Sequence, residues 1–291
     1  MRLFGIFFAL IALFGWTVGD FSIQRVTRFA GTIKALFYIA ALGGVVLLPF
    51  AWPHLGELAL PRNLMLLALG VCITFFAAVF DFDALHDGKL AVVEPVIGLE
   101  LPIIVLLSVT LRGEALSWLQ LSLIACIFIG TTFVVTVRRI RWHRRIVLEK
   151  GFIYAGIGAV GLALSSFLYG VASQESSAVL TVWFIHTLIA LVCLVIMARR
   201  RALGSIAADL RRHGGVIAAM AVADNAAWLG YSQASTLIPI SIATALSETY
   251  VAFTLILGVA VNREKFRRHQ YVGAALAIMG LIALALFTAE T

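Results

Sequence analysis

The chain reads as an all-α integral membrane protein of ten transmembrane helices, arranged as two five-helix repeats of inverted topology. Three observations predict this. Of the 291 residues, 62% are hydrophobic and only 13% charged, with a mean hydropathy of +1.03; a soluble domain is about 45–50% apolar and about 25% charged. The apolar residues fall into ten continuous runs, each near the roughly 20 residues that cross a bilayer as a helix. A few polar residues, rare in so apolar a chain, recur at an offset of 150 positions.

The runs follow one another with short connections. They cover approximately 3–20, 33–52, 63–82, 89–111, 115–137, 151–173, 177–198, 214–234, 237–261 and 269–288. The first, "LFGIFFALIALFGWTVG", is read as a span and not a signal peptide, because one Arg precedes it and no small-residue cleavage site follows. The runs are unbroken rather than alternating, which selects helices over a barrel. The longest loops are "RRIRWHRRIVLEK" (138–150) and "RRRALGSIAADLRRHG" (199–214). The first of these divides the chain into a repeat over 1–137, a basic linker over 138–150 and a second repeat over 151–291.

Charge orients the expected bundle. Of the 22 Lys and Arg residues, 19 fall in loops on one side, and only Arg2, Arg62 and Arg112 on the other. The crowded side is the cytoplasmic one by the positive-inside rule, so both termini are expected on the non-cytoplasmic face of the cell (inner or plasma) membrane. The net charge of +7 thus belongs to loops facing cytoplasm or lipid headgroups and is no nucleic-acid footprint. Cys72, Cys126 and Cys193 all lie inside apolar runs, which gives neither a disulfide framework nor a metal-ligand spacing. No metal and no cofactor is expected.

At the offset of 150, Glu114 meets Glu264, Gln120 meets Gln270 and Gly130 meets Gly280; Ala84, Val109 and Ala125 also meet identical partners. Five spans is an odd number, so two such halves run through the membrane in opposite senses. A chain of five plus five helices, with E-x5-Q-x9-G after the fourth span and again after the ninth, resembles the EamA-like family of the drug/metabolite transporter superfamily. The resemblance covers essentially the whole chain. It implies a central cavity between the halves, alternating access and small-metabolite cargo: amino acids, nucleotide sugars, sugar phosphates or cationic drugs. The chain departs from the pattern twice. Its second copy reads "NRE" where Gly commonly precedes the Glu, and its charge bias puts the termini opposite to the usual family orientation.

Ionisable groups within a span cost about 2.5–3.5 kcal/mol each on insertion scales, which makes them functional candidates. Glu94 and Glu248 occupy corresponding faces of corresponding helices, about one turn apart in depth. They are the expected pathway carboxylates and candidate proton carriers. Asp224, Trp228 and Tyr231 form one stripe, at i, i+4 and i+7, a cup for an amine or aromatic cargo through ion pairing and cation–π contact; the other reading of the two aromatics is interfacial anchoring. Trp16 with Asp20, Ser165 with Tyr169, and Glu100 are further pathway candidates. His186, alone on an apolar helix, reads as a packed, hydrogen-bonded histidine. Pro95 and Pro102 mark the fourth span as bent. Glu114 and Glu264, with Gln120, Gln270, Gly130 and Gly280, read as structural markers, each Glu opening the last helix of its half.

These readings converge on a secondary transporter or facilitator, expected to export small organic metabolites such as amino acids or amine- and drug-like compounds. Its partners are a small-molecule substrate and membrane lipid. No P-loop, H-E-x-x-H or nucleophile–base pattern is present. The alternative is a membrane-embedded enzyme or lipid-headgroup-handling protein built on Asp81, Asp83, His86 and Asp87, whose bland counterpart is a solvated acidic turn.

Overall fold

The computed structural model describes residues 1–87, 96–136, 150–262 and 267–290. These fold almost wholly as helices. In chain order they are α1 (Arg2–Ala30), α2 (Thr32–Val46), the short α3 (Leu48–Ala51) running into a 3-10 segment (Trp52–Ala59), α4 (Pro61–Asp87), α5 (Glu100–Arg112), α6 (Trp118–Val135), α7 (Lys150–Glu175), α8 (Ala178–Arg199), α9 (Ile206–Leu237), α10 (Ile240–Glu248), α11 (Tyr250–Asn262) and α12 (Arg268–Glu290). Six of them are long and apolar enough to cross a membrane, or seven if the bent pair Thr32–Val46 and Leu48–Ala59 is one span. The chain is therefore a multi-pass membrane protein.

Several boundaries differ from expectation. The helix of the first run continues to Ala30, and the expected loop 199–214 is helical from Ile206 onward, with a kink at His213. The second run bends by 52° at Leu47, just before Pro49, whose ring denies the chain a backbone donor there. Segment 81–87, expected as a turn, is the last stretch of α4.

The packing carries the repeat. The most extensive helix pairings are α1 with α9, α4 with α7, α6 with α12, and α2 with α8. When each helix of the first half is matched to the one 150 positions further on, this set maps onto itself. The seam between α6 and α12 shows the same correspondence atom by atom. Gly130 lies against the backbone of Ala277, and Gly280 against Ile127; each contact becomes the other when 150 is added or subtracted. Glycine is required at this seam because a Cβ on Gly130 would sit 2.6 Å from the Ala277 nitrogen. Small residues let helix backbones approach where lipid offers no hydrophobic drive. Gly15 and Gly19 do the same for α1 on Ala223 and Asp224, as Gly158 and Gly161 do for α7 on Asp81 and Ala77.

The motif residues prove to be caps. Gln120 closes a capping box at the start of α6: its backbone N–H donates to Ser117 Oγ (3.2 Å), and the Ser117 N–H donates to its Oε1 (2.9 Å). Gln270 repeats one limb, accepting from the Arg267 N–H at 3.1 Å, and donates to the Val134 carbonyl at 2.8 Å. Glu114 corrects the expectation made for it. It does not serve the helix that follows. Gly113, in the left-handed conformation (φ 66°), ends α5, and the Glu114 carboxylate accepts from the backbone N–H groups of Ile240 (2.6 Å) and Ser241 (3.1 Å) and from Ser241 Oγ. It caps α10, in the other half. Glu264 lies outside the described residues.

Candidate functional site

A cavity of about 120 Å³ lies between the halves. Its walls come from α1, α2, α4 and α5 of the first half and from α7, α8, α9 and the α10–α11 junction of the second. Twelve of its lining residues form six pairs separated by 150 positions: Trp16 and Ser166, Leu36 and His186, Ile39 and Ile189, Thr74 and Asp224, Ala78 and Trp228, Glu100 and Tyr250. The cavity therefore sits where the two halves face each other. Its chemistry is not two-fold, since nearly every pair sets an apolar or hydroxyl side chain against an ionisable or aromatic one.

Two helix breaks flank the cavity. In the first half the chain turns at Gly98 and Leu99 before α5 begins at Glu100; in the second it breaks at Thr249 before α11 begins at Tyr250. Leu99 (φ −66°, ψ −10°) and Thr249 (φ −62°, ψ −9°) are repeat mates with the same backbone conformation. Discontinuous helices at mid-membrane are a recurrent way to build binding sites in transporters. The bend expected from Pro95 and Pro102 thus falls between them.

Among the described residues five carboxylates line the cavity, Asp20, Asp81, Glu100, Asp224 and Glu248, and no Lys or Arg does. Glu100 accepts a 2.8 Å hydrogen bond from Ser166 Oγ. Asp20 hydrogen-bonds Tyr250 and lies within electrostatic reach of Glu100, Asp224 and Glu248. Asp224 is 7% exposed.

His186 also lines the cavity. Its Nδ1 is 2.8 Å from Asn225 Oδ1, while Asn225 Nδ2 donates to the carbonyls of Ile39 (2.9 Å) and Ala221 (2.7 Å). With the amide nitrogen so committed, Oδ1 must accept, which places the proton on Nδ1 and leaves Nε2 as the free ring nitrogen. The histidine is packed and hydrogen-bonded, as its setting in the sequence suggested, and is a wall of the cavity as well.

The other expected residues divide. Trp16, Asp20, Glu100, Asp224, Trp228 and Glu248 are all brought to the cavity. Tyr231, Ser165 and Tyr169 are not among its lining residues. Tyr231 is buried behind it, donating to the Ser166 carbonyl at 3.1 Å, 3.0 Å from Thr244 Oγ1, and packed against Trp16. Ser165 bonds Thr74 across the α4–α7 interface. Tyr169 stacks on Trp228 with ring centroids 4.2 Å apart. Both support the wall rather than form it. Glu94 lies outside the described residues. The acidic cluster of the alternative reading is split: Asp81 lines the cavity, Asp83 accepts from Thr32 Oγ1 at 2.9 Å, and the His86 and Asp87 side chains lie outside the described part. Among the described residues no group of three His, Cys, Asp or Glu could hold a metal ion. Ser166, Thr74 and Tyr250 escaped the sequence reading, yet each is the repeat mate of a residue that drew attention: Trp16, Asp224 and Glu100.

Ionic contacts mark the two ends. At one, Lys34 Nζ (2.9 Å) and Tyr38 OH (3.0 Å) donate to Asp209 and tie α2 to α9. Burial alone would raise the Asp209 carboxyl, but these two bonds and the Lys34 charge outweigh it and hold the group below its ordinary value. At the other end Arg62 (2.8 Å) and Arg112 (3.0 Å) both reach Glu175, and Arg112 also donates to Gln174.

The family model of the EamA-like transporter family matches residues 3–136 and again 149–286. The chain belongs to the EamA-like transporter family. Two copies of one family unit account for the repeat and place this EamA-like chain in the drug/metabolite transporter superfamily. One solved crystal structure is similar over 99% of both chains, with a TM-score of 0.77 and 17% sequence identity; at that identity the likeness is one of fold. No curated protein matches the chain.

Proposed function

We propose that this EamA-like chain is a secondary transporter or facilitator that exports small organic metabolites, amino acids or amine- and drug-like compounds, by alternating access around the central cavity. The observation that carries the reading is the lining by six pairs of repeat mates, flanked by equivalent breaks at Leu99 and Thr249. A site on the relation between two halves is reached by rocking one half against the other. In this reading the chain has ten spans, α5 and the α10–α11 pair being parts of the fourth and ninth, and the repeats 1–137 and 151–291 have inverted topology with the basic linker 138–150 between them.

Arg62 and Arg112 share one end of the molecule while Lys34 occupies the other, which supports the charge-based orientation with both termini non-cytoplasmic. The lining runs from mid-span toward the Lys34–Asp209 end, through Ile23, Leu36 and Phe82, and that end is the cytoplasmic one. Cargo binds near Asp224, Trp228 and Glu248, with Trp16, Asp20 and Glu100 completing the walls. Glu94 and Glu248 are the candidate proton carriers.

Solute flux in proteoliposomes under an imposed pH gradient tests this. Coupled transport predicts flux that follows the gradient in wild type and ceases to follow it in Glu248→Gln or Glu94→Gln. Flux indifferent to both the gradient and the substitutions overturns proton coupling.

A further inference from the structure

Resting on the transporter reading, the cavity also restricts the charge of its cargo. Among the described residues its acidic and basic lining consists of five carboxylates and one histidine, with no Lys or Arg, so no described wall residue carries the permanent positive charge that an anion or the carboxylate of an amino acid would need. Glu100 holds the Ser166 hydroxyl and Asp20 the Tyr250 hydroxyl. Asp224 has no such partner among the described residues. It is more than nine-tenths buried, lines the cavity and makes no hydrogen bond or ion pair with any described residue. A buried carboxylate left unpaired is costly, and a cation entering the cavity supplies the missing partner. Around it the indoles of Trp16 and Trp228, 5.4 Å apart and nearly perpendicular, offer the π-surface that favours an organic cation over a hydrated metal ion. The apolar remainder of the wall, Ile23, Ile39 and Ile189, suits a cation with a short hydrocarbon body. A cavity of about 120 Å³ suits a compact body of this kind.

We propose that the cavity binds a compact organic cation, with Asp224 as its counter-ion and Trp16 and Trp228 against its apolar body, and that it rejects anions and zwitterionic amino acids, which narrows the cargo named above to its amine-like members.

Calorimetric and thermal-shift titration of the purified full chain in detergent tests this with four solutes of similar size: tetramethylammonium, neutral tert-butanol, anionic pivalate and zwitterionic alanine, each at the same ionic strength set with sodium chloride. Tetramethylammonium is expected to bind and raise Tm, while the other three do not. Asp224→Asn is expected to weaken cation binding at least ~tenfold, since a buried charge loses its partner, with the melting of the unliganded protein retained. Trp228→Leu, which keeps the acid, is expected to weaken it about two- to thirtyfold and stands in should Asp224→Asn fail to fold. Binding of alanine or pivalate in preference to the cation, a shift reproduced by sodium alone, no cation binding at all, or cation affinity unchanged in both variants would each overturn the proposal. Cation binding without flux in proteoliposomes leaves the site in place and removes the transporter reading; alanine flux without cation binding does the reverse.

Discussion

Cys126 Sγ points at the backbone carbonyl of Leu276, 3.8 Å away, and the two residues are repeat mates. A residue in contact with its own equivalent lies beside the axis that relates the halves, so the α6–α12 seam marks that axis. Its glycines are equivalent in position but not in tolerance. A Cβ on Gly130 meets backbone, Ala277 N at 2.6 Å and Gly273 O at 2.8 Å, whereas on Gly280 it first meets the Ile127 side chain at 2.8 Å, with backbone no nearer than 3.4 Å. Gly130→Ala is expected to cost about 1–3 kcal/mol and Gly280→Ala less, as read by thermal melting in detergent. Equal losses would contradict the seam as described.

Glu114 reaches from the end of α5 to the first N–H groups of α10, which would otherwise lack partners, and so fastens one half to the broken span of the other. Glu114→Ala is expected to destabilise the protein by about 0.5–2 kcal/mol, the range for losing a helix cap, and Glu114→Gln by less, because one acceptor remains. The loss should appear as faster amide hydrogen exchange in 240–248 before any other segment. Uniform exchange would show that the bond is incidental.

Gly43 makes room for the pair that fixes the His186 ring. A Cβ there would overlap Asn225 Oδ1 and lie 2.6 Å from His186 Nδ1. Gly43→Ala must therefore displace both, at a cost of about 1–3 kcal/mol for an unmade buried hydrogen bond. At Gly44 the nearest atom, Thr187 Oγ1, is 3.0 Å away, and Gly44→Ala is expected to be the milder change. The ring-proton NMR signal of His186 should shift only in the first variant.

The Lys34–Asp209 contact carries a pH signature. The folded-state value of the Asp209 carboxyl is depressed, so its stabilisation is present above the unfolded value of about 3.9 and is lost as pH falls through the lower folded value. The Tm difference between wild type and Asp209→Asn should hold steady from pH 8 to pH 5 and shrink only below about pH 4. A difference that already collapses near pH 6 would assign the contact to another group.

Much of this was legible in the chain. Apolar runs located the six described helices long enough to cross a membrane, and Glu114 and Gln120 with their mates gave the offset of 150 that the cavity lining obeys. What the sequence could not show was direction. Glu114 sits beside the start of α6, and nothing local says that it turns to α10, 126 residues away. Asp81 looked like part of an acidic turn because α4 outlasts its apolar run. The break at Thr249 has no Gly or Pro beside it; only its mate, next to Gly98 and between two prolines, was visible. Tyr231 shares a helical stripe with Asp224 and Trp228, yet the three residues beyond Trp228 carry the tyrosine one level deeper, past the cavity and into the packing with Thr244.

The claim beneath all of these is that solute crosses through the cavity between the halves. Ala78 lines it, while Val195 is 53% exposed on the outer surface of α8. Proteoliposomes carrying wild type, Ala78→Trp or Val195→Trp can be followed for flux of tetramethylammonium, alanine and pivalate. At least one solute should move faster through wild type and Val195→Trp than through protein-free vesicles, and none through Ala78→Trp folded to the same Tm. A solute that passes Ala78→Trp as fast as wild type would contradict the account.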